Sequence, residues 1–577
     1  MKQHEIAALF NQMADLLEFR GENPFRIRAY RKAAQNLEGI TEDLEHLNQE
    51  DRLTEIPGIG HDLANKIREY LQHGAVREIE QITRAVPAGI FELLEIPGVG
   101  PKTTKLLSER LRITSVRQLE AAAKAHKLCT LPGFQEKKEQ NILNGIAIVR
   151  KGQARMHLGI ALPLARHIVG LLREIPSVKR VEPAGSLRRM RETIGDLDIL
   201  VATAKPSAVM KAFTAAPFCA RILAAGETKS SILTSEGVQV DLRVVSPDCF
   251  GAALQYFTGS KEHNVHLREM AIRKGLKINE YGVFRTRTGK RLGGREEGDV
   301  YQAMGLAWIP PEIREDAGEI EAALEKRLPN LVEQDDLKGD FHIHTNWSDG
   351  SHTLEEVAAA GTRRGYQYLV ICDHSKSLKV AGGLSEQELK RQMAKIRVLN
   401  ARQSRFQLLM GAEVDILNRG LMDYPNELLR QLDFVIGSIH SGFKQDQATI
   451  THRLIRAIHN PYVTMIAHPT GRLLGQREPY AVDLEAVFAA ARQTQTALEI
   501  NAYPKRLDLN YVAARRAREQ GVRLAISTDT HSLDQLKNIT IGLGVARRAW
   551  LEPKHLLNCF SREQLLAWIR RKRQHGR

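Results

Sequence analysis

Asp196 and Asp198 lie two apart at the start of a strand-like run, Leu197 to Val201. Side chains two apart on a strand share a face. Two carboxylates held that way repel one another unless a cation joins them, and a hard, oxygen-rich site suits Mg²⁺. A second apolar run, Val238 to Val245, carries Asp241. Three carboxylates on adjacent strands can hold two metal ions. Such a pair activates a 3′-hydroxyl and stabilises a leaving pyrophosphate in an in-line displacement. Just upstream, Gly185-Ser186 would bring backbone and hydroxyl donors to a triphosphate, with Arg188 as a bidentate cation.

A second constellation fills the C-terminal third. His342 and His344 share one face of an apolar strand, with Asp349 just beyond. His374, Glu413, His440, His468, Asp529 and His531 then follow apolar runs, each at the end of one. Helical patterns at 353–364, 385–402 and 483–494 separate those runs. Strand-helix alternation with polar residues at the strands' C-terminal ends is the pattern of a β/α barrel site. Histidine number does not carry this reading, because residues 341–577 hold 11 of the 20 histidines. Placement carries it. Mixed N/O ligands suit Mn²⁺ or Zn²⁺, which activate water near neutral pH and bind phosphate oxygens. Asp373 and Asp415 are candidates for outer partners of these ligands.

The N-terminal part holds a repeat: Ile56-Pro57-Gly58-Ile59-Gly60, Ile96-Pro97-Gly98-Val99-Gly100, and a weaker Leu131-Pro132-Gly133-Phe134. Helical patterns flank each copy. Glycine permits the tight turn, and the following helix begins with free N–H groups that suit a phosphate. This resembles the helix-hairpin-helix element that grips DNA backbones, with Gly58, Gly60, Gly98 and Gly100 at the contact.

These sites need several folded units. The chain has 577 residues, 43% hydrophobic and 26% charged. That composition excludes a disordered, collagen-like or small disulfide-rich protein, and about 100–200 residues per domain allows three to five domains. No apolar run approaches the ~18 residues of a membrane span. The five cysteines are scattered with no CxxC, as in reduced cytoplasmic proteins. Net charge is +15, unevenly spread. Residues 101–300 carry 34 basic and 19 acidic groups, and residues 341–577 carry 34 and 22. The stretch 301–340 between them carries 4 and 10 and reads as a junction. Two positive blocks predict two surfaces facing a polyanion. The closing Arg570-Arg571-Lys572-Arg573 reads as a frayed basic helix end.

The carboxylate pattern resembles the palm of a family X DNA polymerase, the polymerase beta-like group. Tyr256-Phe257-Thr258-Gly259-Ser260, then Asn264 and Arg268, and Asn279-Glu280-Tyr281-Gly282 extend the match into that family's thumb. The resemblance implies that Tyr256 and Phe257 pack on the incoming sugar, with Gly259 at the close turn. It implies that Asn264 and Arg268 contact the nascent pair and the template. Asn23 to Lys32 resemble the family's small N-terminal domain, and Lys66 matches its Schiff-base lysine, although two pocket lysines are replaced by Asp62 and Arg26. The last third resembles a PHP (polymerase and histidinol phosphatase) domain with all nine ligand positions intact. That resemblance implies that Glu413 bridges two metals and that His342, His344 and Asp529 hold one.

The expected architecture is a multidomain α+β polymerase, with a helical helix-hairpin-helix N-terminal part, a mixed β palm and a thumb, followed by a distorted (β/α)7 PHP barrel. Residues 1–85 form the lyase-like domain, 86–150 the fingers, 151–257 the palm, 258–317 the thumb, 318–336 a linker and 337–577 the barrel. The resemblance implies a monomeric gap-filling repair polymerase with a 3′–5′ exonuclease or 3′-end phosphoesterase in the barrel. It would use Mg²⁺ or Mn²⁺ in the palm and up to three Mn²⁺ or Zn²⁺ in the barrel. Its partners would be gapped or nicked DNA and dNTPs, without a membrane, in the cytoplasm and nucleoid. The rival readings are a template-independent nucleotidyltransferase, a phosphatase with a DNA-binding module, and a repair scaffold with idle sites.

Overall fold

Ile6, Phe10, Met13 and Leu17 recur at three- and four-residue spacing, and all four are fully buried along the helix Lys2–Arg20. The structure, a computed structural model, describes every residue except 1, 40–43, 57, 85, 95, 97–98, 151–154, 403–404 and 576–577. That first helix packs on Pro24–Gly39, with Tyr30 edge-on to Phe10 at 5.5 Å. A second helical cluster gathers Ile90, Leu93, Val99, Leu107, Leu119 and Ile142. The three hairpin turns share one hydrogen bond, Ile59 N to Ile56 O, Val99 N to Ile96 O and Phe134 N to Leu131 O, at 2.9–3.1 Å. The weak third copy is therefore a true repeat of the turn. Gly58 takes φ +76°, which explains glycine there.

The next unit is a five-stranded sheet in the order Arg180–Pro183, Leu197–Ala202, Gln239–Val245, Lys229–Thr234, Cys219–Ala225. Its two central strands run parallel, with Asp198 opposite Asp241. The helices Leu158–Arg173 and Pro206–Thr214 bury Ile168, Val209 and Phe213 against it. The helix Phe250–Thr258 crosses the palm–thumb boundary expected at 257/258. Beyond it, Lys261–Arg273 packs on three antiparallel strands, Leu276–Asn279, Gly282–Arg285 and Arg291–Gly293.

Seven parallel strands follow in sequence order: Gly339–Ile343, Tyr368–Ile371, Gln407–Asp415, Phe434–Ser438, Met465–Ile466, Ala497–Asn501 and Leu524–Ser527. Hydrogen bonds from His344 N to Thr530 O (2.8 Å) and from Thr530 N to His342 O (3.0 Å) draw the first and last together. The result is a nearly closed barrel, as expected of seven βα units. Helices Leu354–Arg363, Glu386–Asn400 and Leu484–Thr494 match the three helical patterns.

The acidic stretch 318–336, read as a linker, carries the short helix Glu319–Leu324 and is anchored on both sides. Glu319 is buried on His263 at 2.6 Å, Ile320 and Ala323 join the thumb's core, and Val332 N bonds Leu551 O in the barrel. The closing basic run is a packed helix, not a frayed one. Lys572 is 2% exposed, and Arg573 donates to Leu432 O at 2.6 Å. Backbone carbonyls of Leu432 and Asp433 hold Arg573, whereas burial beside Arg573 lowers the Lys572 ammonium to about 7.

Palm and barrel share one apolar cluster, which runs from Leu158 and Val201 to Ile500 and Val545. Arg472 of the barrel pairs bidentately with Glu192 of the palm, at 2.8 and 3.1 Å. All five cysteines are unpaired. Among the described residues, no helix is long and apolar enough to cross a membrane.

Candidate active sites

In the palm, the parallel register sets Asp198 beside Asp241, and Asp196 just precedes the strand. Burial, then the charges of Asp196 and Asp241, push the Asp198 carboxyl up to about 7. A group in that state is a carboxylate short of a cation. Asp241 is also buried, but Gln239, Ser231 and Lys229 hold it below the usual range, with Lys229 Nζ at 3.2 Å. The donor set therefore fits divalent cations, although its oxygens are gathered less tightly than those of the barrel. Gly185 opens a short helix, Gly185–Arg188, tied to this strand by Ala184 N to Asp198 O at 2.8 Å. Ser186 lies half-buried in its first turn.

Tyr256 and Phe257 meet edge-to-face at 5.1 Å, and both are partly exposed. Asn264 accepts from Gln255 and donates to Tyr256 O, each at 2.7 Å, so it positions the aromatic pair through the backbone. Arg268 is exposed, with its Nε on Asn264 O at 3.2 Å. Gly259 ends the aromatic helix at φ +72°. Gly60 and Gly100 stand in extended geometry at the N-termini of His61–His73 and Pro101–Leu111. Gly98 lies outside the described residues.

In the barrel, all nine expected ligands converge at the strands' C-terminal ends. Three groups have ligand atoms within 4.8 Å of one another: His344, Asp349, His374 and His531; His342, His344 and Asp529; and His374, Glu413 and His440. Glu413 joins them, with Oε2 at 2.7 Å from His374 and 3.5 Å from His342, and Oε1 at 3.3 Å from His440 and 3.0 Å from His468. Burial pushes its carboxyl up, but His440, His374 and His342 together hold it well below the usual range. His342 Nε2, both ring nitrogens of His344, and Glu413 Oε2 are buried without a hydrogen bond. Orphaned polar atoms of this kind facing one another are what a metal cluster satisfies, so the residues present fit one. His468 and Asp529 both take positive φ, +29° and +53°. Such backbone costs about 1–3 kcal/mol each and persists where the site requires it.

Four family models match this chain: a DNA polymerase beta thumb at residues 253–315, a Helix-hairpin-helix domain at 1–76, a SAM-like Helix-hairpin-helix tandem at 90–147, and a PHP domain at 340–502. A protein of Bacillus subtilis (strain 168), named DNA polymerase/3′-5′ exonuclease PolX, is 39% identical over 573 residues, covering 99% of this chain and 100% of its own length. The chain belongs to the family X DNA polymerases. A probable phosphatase of Thermoanaerobacter sp. (strain X514) is 29% identical over 230 residues, 38% of this family X chain and 89% of its own. Another, from Caldanaerobacter subterraneus, is 31% identical over 209 residues, 33% of this chain and 75% of its own. The helix-hairpin-helix and thumb matches mark the family X chain as DNA-binding.

Two expected roles do not fit the geometry of this family X chain. Arg188 is bidentate, but toward Glu297 (2.6 and 2.9 Å), with Thr258 Oγ1 at 2.7 Å. It braces the palm against the thumb instead of reaching for a triphosphate. Lys66 is 7% exposed and pairs with Asp62 at 2.5 Å and Glu78 at 3.1 Å. Burial lowers its pKa, but these carboxylates and Tyr30 raise it overall, whereas a Schiff-base lysine needs it lowered.

Other residues escaped the sequence reading. Glu499 bonds His342 Nδ1 at 2.8 Å, and Asn501 bonds Asp529 Oδ2 at 3.0 Å. Both orient ligands, as does Asp415 on His440 Nδ1 at 2.5 Å. Their signal was a polar residue inside the apolar run Ala497–Asn501. Asp373 instead holds Thr345 and Gln392. In the palm, Arg243 covers Phe257 at 4.4 Å; it lies two residues from Asp241 on the same strand.

Gly185 yields a direct prediction. A Cβ there would lie 2.2 Å from Asp198 Oδ2, at φ +59°. Gly185→Ala must displace a central carboxylate, so synthesis should fall by about 100-fold or more with barrel activity unchanged. Primer extension and single-strand degradation, run on the same preparation, check it.

Proposed function

We propose that this chain fills short gaps in DNA, extending a primer 3′ end against a template, and removes nucleotides from 3′ ends in its barrel. The observation that carries the reading is the pair of half-buried Asp198 and buried Asp241, in register on parallel strands with Asp196 beside them, in a chain whose barrel also gathers eight candidate ligands into close groups, with His468 beside Glu413.

Asp196, Asp198 and Asp241 would hold Mg²⁺ or Mn²⁺, and the barrel's nine residues up to three Mn²⁺ or Zn²⁺. Bound there, divalent cations supply the positive charge that lowers the pKa of an attacking hydroxyl or water and neutralises phosphate oxygens. The rest falls to the chain's own groups. The Gly185-Ser186 turn offers donors to a dNTP's phosphates. Tyr256 and Phe257 offer flat faces to its sugar, held by Asn264 through the Tyr256 carbonyl. The primer 3′ oxygen bonds the α-phosphorus as the bond to pyrophosphate breaks. Gly60 and Gly100 cap helix N-termini that would face the DNA backbone, with Gly58 in the turn before the first, and Arg268 would face the template side. The chain would act as a monomer on nucleoid DNA in the cytoplasm. Lyase chemistry at Lys66 is not part of this reading, because its amine is ion-paired.

The test is a labelled one-nucleotide gap. With dNTPs and Mg²⁺ the primer should lengthen by one residue; with Mn²⁺ and no dNTPs it should shorten. A primer that never lengthens defeats the polymerase assignment, and one that never shortens defeats the nuclease assignment. Likeness to probable phosphatases favours a second barrel activity, release of phosphate from a 3′-phosphorylated primer, read in the same gel.

A further inference from the structure

The barrel helix Ile539–Arg548 ends against the palm. Arg548 is 3% exposed, and its guanidinium lies on the Tyr511 ring at 4.2 Å. Its Nη1 donates to Arg189 O at 2.7 Å and to Glu315 Oε1 at 2.9 Å, and reaches Glu312 O at 3.4 Å. Its Nε and Nη2 are buried without a partner. A buried guanidinium left partly unsatisfied is a poor way to gain stability. Its contacts point to a different use.

Glu315 also accepts from Arg189 Nε and from Arg191 Nη1, both at 3.1 Å. Arg189 follows directly on the Gly185–Arg188 turn, whose glycine abuts Asp198. Its Nη1 donates to Thr258 O, at the end of the helix that carries Tyr256 and Phe257. One arginine thus ties the phosphate-facing turn to the sugar-facing aromatics. A thumb carboxylate, Glu315, and a barrel cation, Arg548, hold that arginine.

We propose that Arg548, although carried by the barrel, is a positioning residue of the polymerase site: with Glu315 it fixes Arg189, and through it the Gly185–Arg191 loop and the Thr258–Gly259 turn that receive the incoming nucleotide. The inference rests on the reading of the palm as a polymerase site. The neighbouring Arg547 provides the contrast. It bonds Glu312 Oε1 at 2.7 Å and Val332 O at 2.9 Å, docking the barrel without touching Arg189 or Glu315.

The experiment measures single-nucleotide gap filling against dNTP concentration for the full chain and for Arg548→Met, Arg548→Lys, Glu315→Gln, Arg547→Met and the double variant of Arg548→Met with Glu315→Gln. Arg548→Met and Glu315→Gln should each raise KM for dNTP about 10-fold, the scale of one lost charge-assisted hydrogen bond, with kcat little changed. Arg548→Lys should recover part of the loss, because an ammonium reaches one of the three acceptors. The double variant should be no worse than the worse single, since both cut one network. Single-strand degradation should stay within about twofold throughout. An unchanged KM in Arg548→Met or Glu315→Gln overturns the proposal, as does an equal rise in Arg547→Met, which would reduce the effect to docking. If Arg548→Met loses both activities and its melting transition, Glu315→Gln decides alone: a raised KM supports the proposal and an unchanged one overturns it. A parent chain that cannot extend the primer overturns this proposal together with the polymerase reading.

Discussion

Asp198→Asn should abolish DNA synthesis, by at least about 10³-fold, while 3′-end degradation proceeds at the parent rate. The size follows from what the carboxylate faces. Asp198 is half-buried beside Asp241, and burial with the charges of Asp196 and Asp241 pushes its carboxyl up to about 7. An amide of the same shape keeps the packing but removes one of three charges that would hold the cations. Losing several kcal/mol of charge stabilisation in a displacement at phosphorus corresponds to that factor. The same buried charge gives a stability signature in chelator. A carboxyl whose pKa is raised on folding takes stability away as pH rises from its ordinary value, about 4, toward its folded one, about 7. The parent chain should therefore lose more stability across that window than the asparagine variant, in which buried Asp340 and Asp508, both raised to about 6, still titrate. Primer extension with single-strand degradation checks the first expectation, and melting against pH in chelator checks the second. A variant that still fills gaps, or one that stops degrading 3′ ends, removes the assignment of synthesis to this triad.

The two carboxylate strands and the barrel's ligand positions were legible because both depend on short-range rules. A strand's two-residue period puts Asp196 and Asp198 on one face, and parallel βα units put every strand's C-terminal end on one rim. Nine polar residues at the ends of six such strands need no long-range information to be noticed. What was not legible depends on partners distant in sequence. Arg188 looked free because its partner, Glu297, is 109 residues away. The linker at 318–336 gave no sign of its anchors, because nothing local announces that Glu319 will be buried on His263. Glu499 was hidden by the opposite effect. One carboxylate inside an apolar strand reads as an irregularity until His342 Nδ1 is seen 2.8 Å from it. The basic tail shows the limit of charge as a guide, since Lys572 is buried in a packed helix.

The docking of barrel on palm belongs to the same class. Glu192 and Arg472 are 280 residues apart, yet they pair bidentately at 2.8 and 3.1 Å. Arg472 also holds the Arg506 carbonyl at 2.8 Å, and Arg506 Nε lies 3.3 Å from Asp529 Oδ2. A loop beside the barrel's ligands is thereby tied to the loop beside the palm's. Two sites docked in this way can still be separated experimentally, provided the substitution sits inside one ligand set and keeps its shape.

Glu413→Gln meets that condition for the barrel and should have the larger effect of any single change there. The side chain is 1% exposed and stands within 3.5 Å of four imidazoles, those of His342, His374, His440 and His468. Glutamine preserves volume but replaces an anion with a neutral amide, so one oxygen keeps its acceptor role and the other becomes an NH₂ aimed at ring nitrogens. The joint between the ligand groups is lost and His440 and His468 lose a charged neighbour. Removal of a single outer partner of a metal ligand already costs about 10–100-fold; removal of the residue that links the groups should cost about 10³-fold in 3′–5′ degradation. Metal content, measured by elemental analysis after dialysis against Mn²⁺ or Zn²⁺, should fall by at least one ion per chain. Gap filling should stay at the parent rate, because among the described residues the Glu413 carboxylate pairs only with barrel histidines. If the variant binds its full complement of metal and still degrades 3′ ends, the barrel cluster is not the nuclease site. If it loses synthesis as well, the two ligand sets do not work independently.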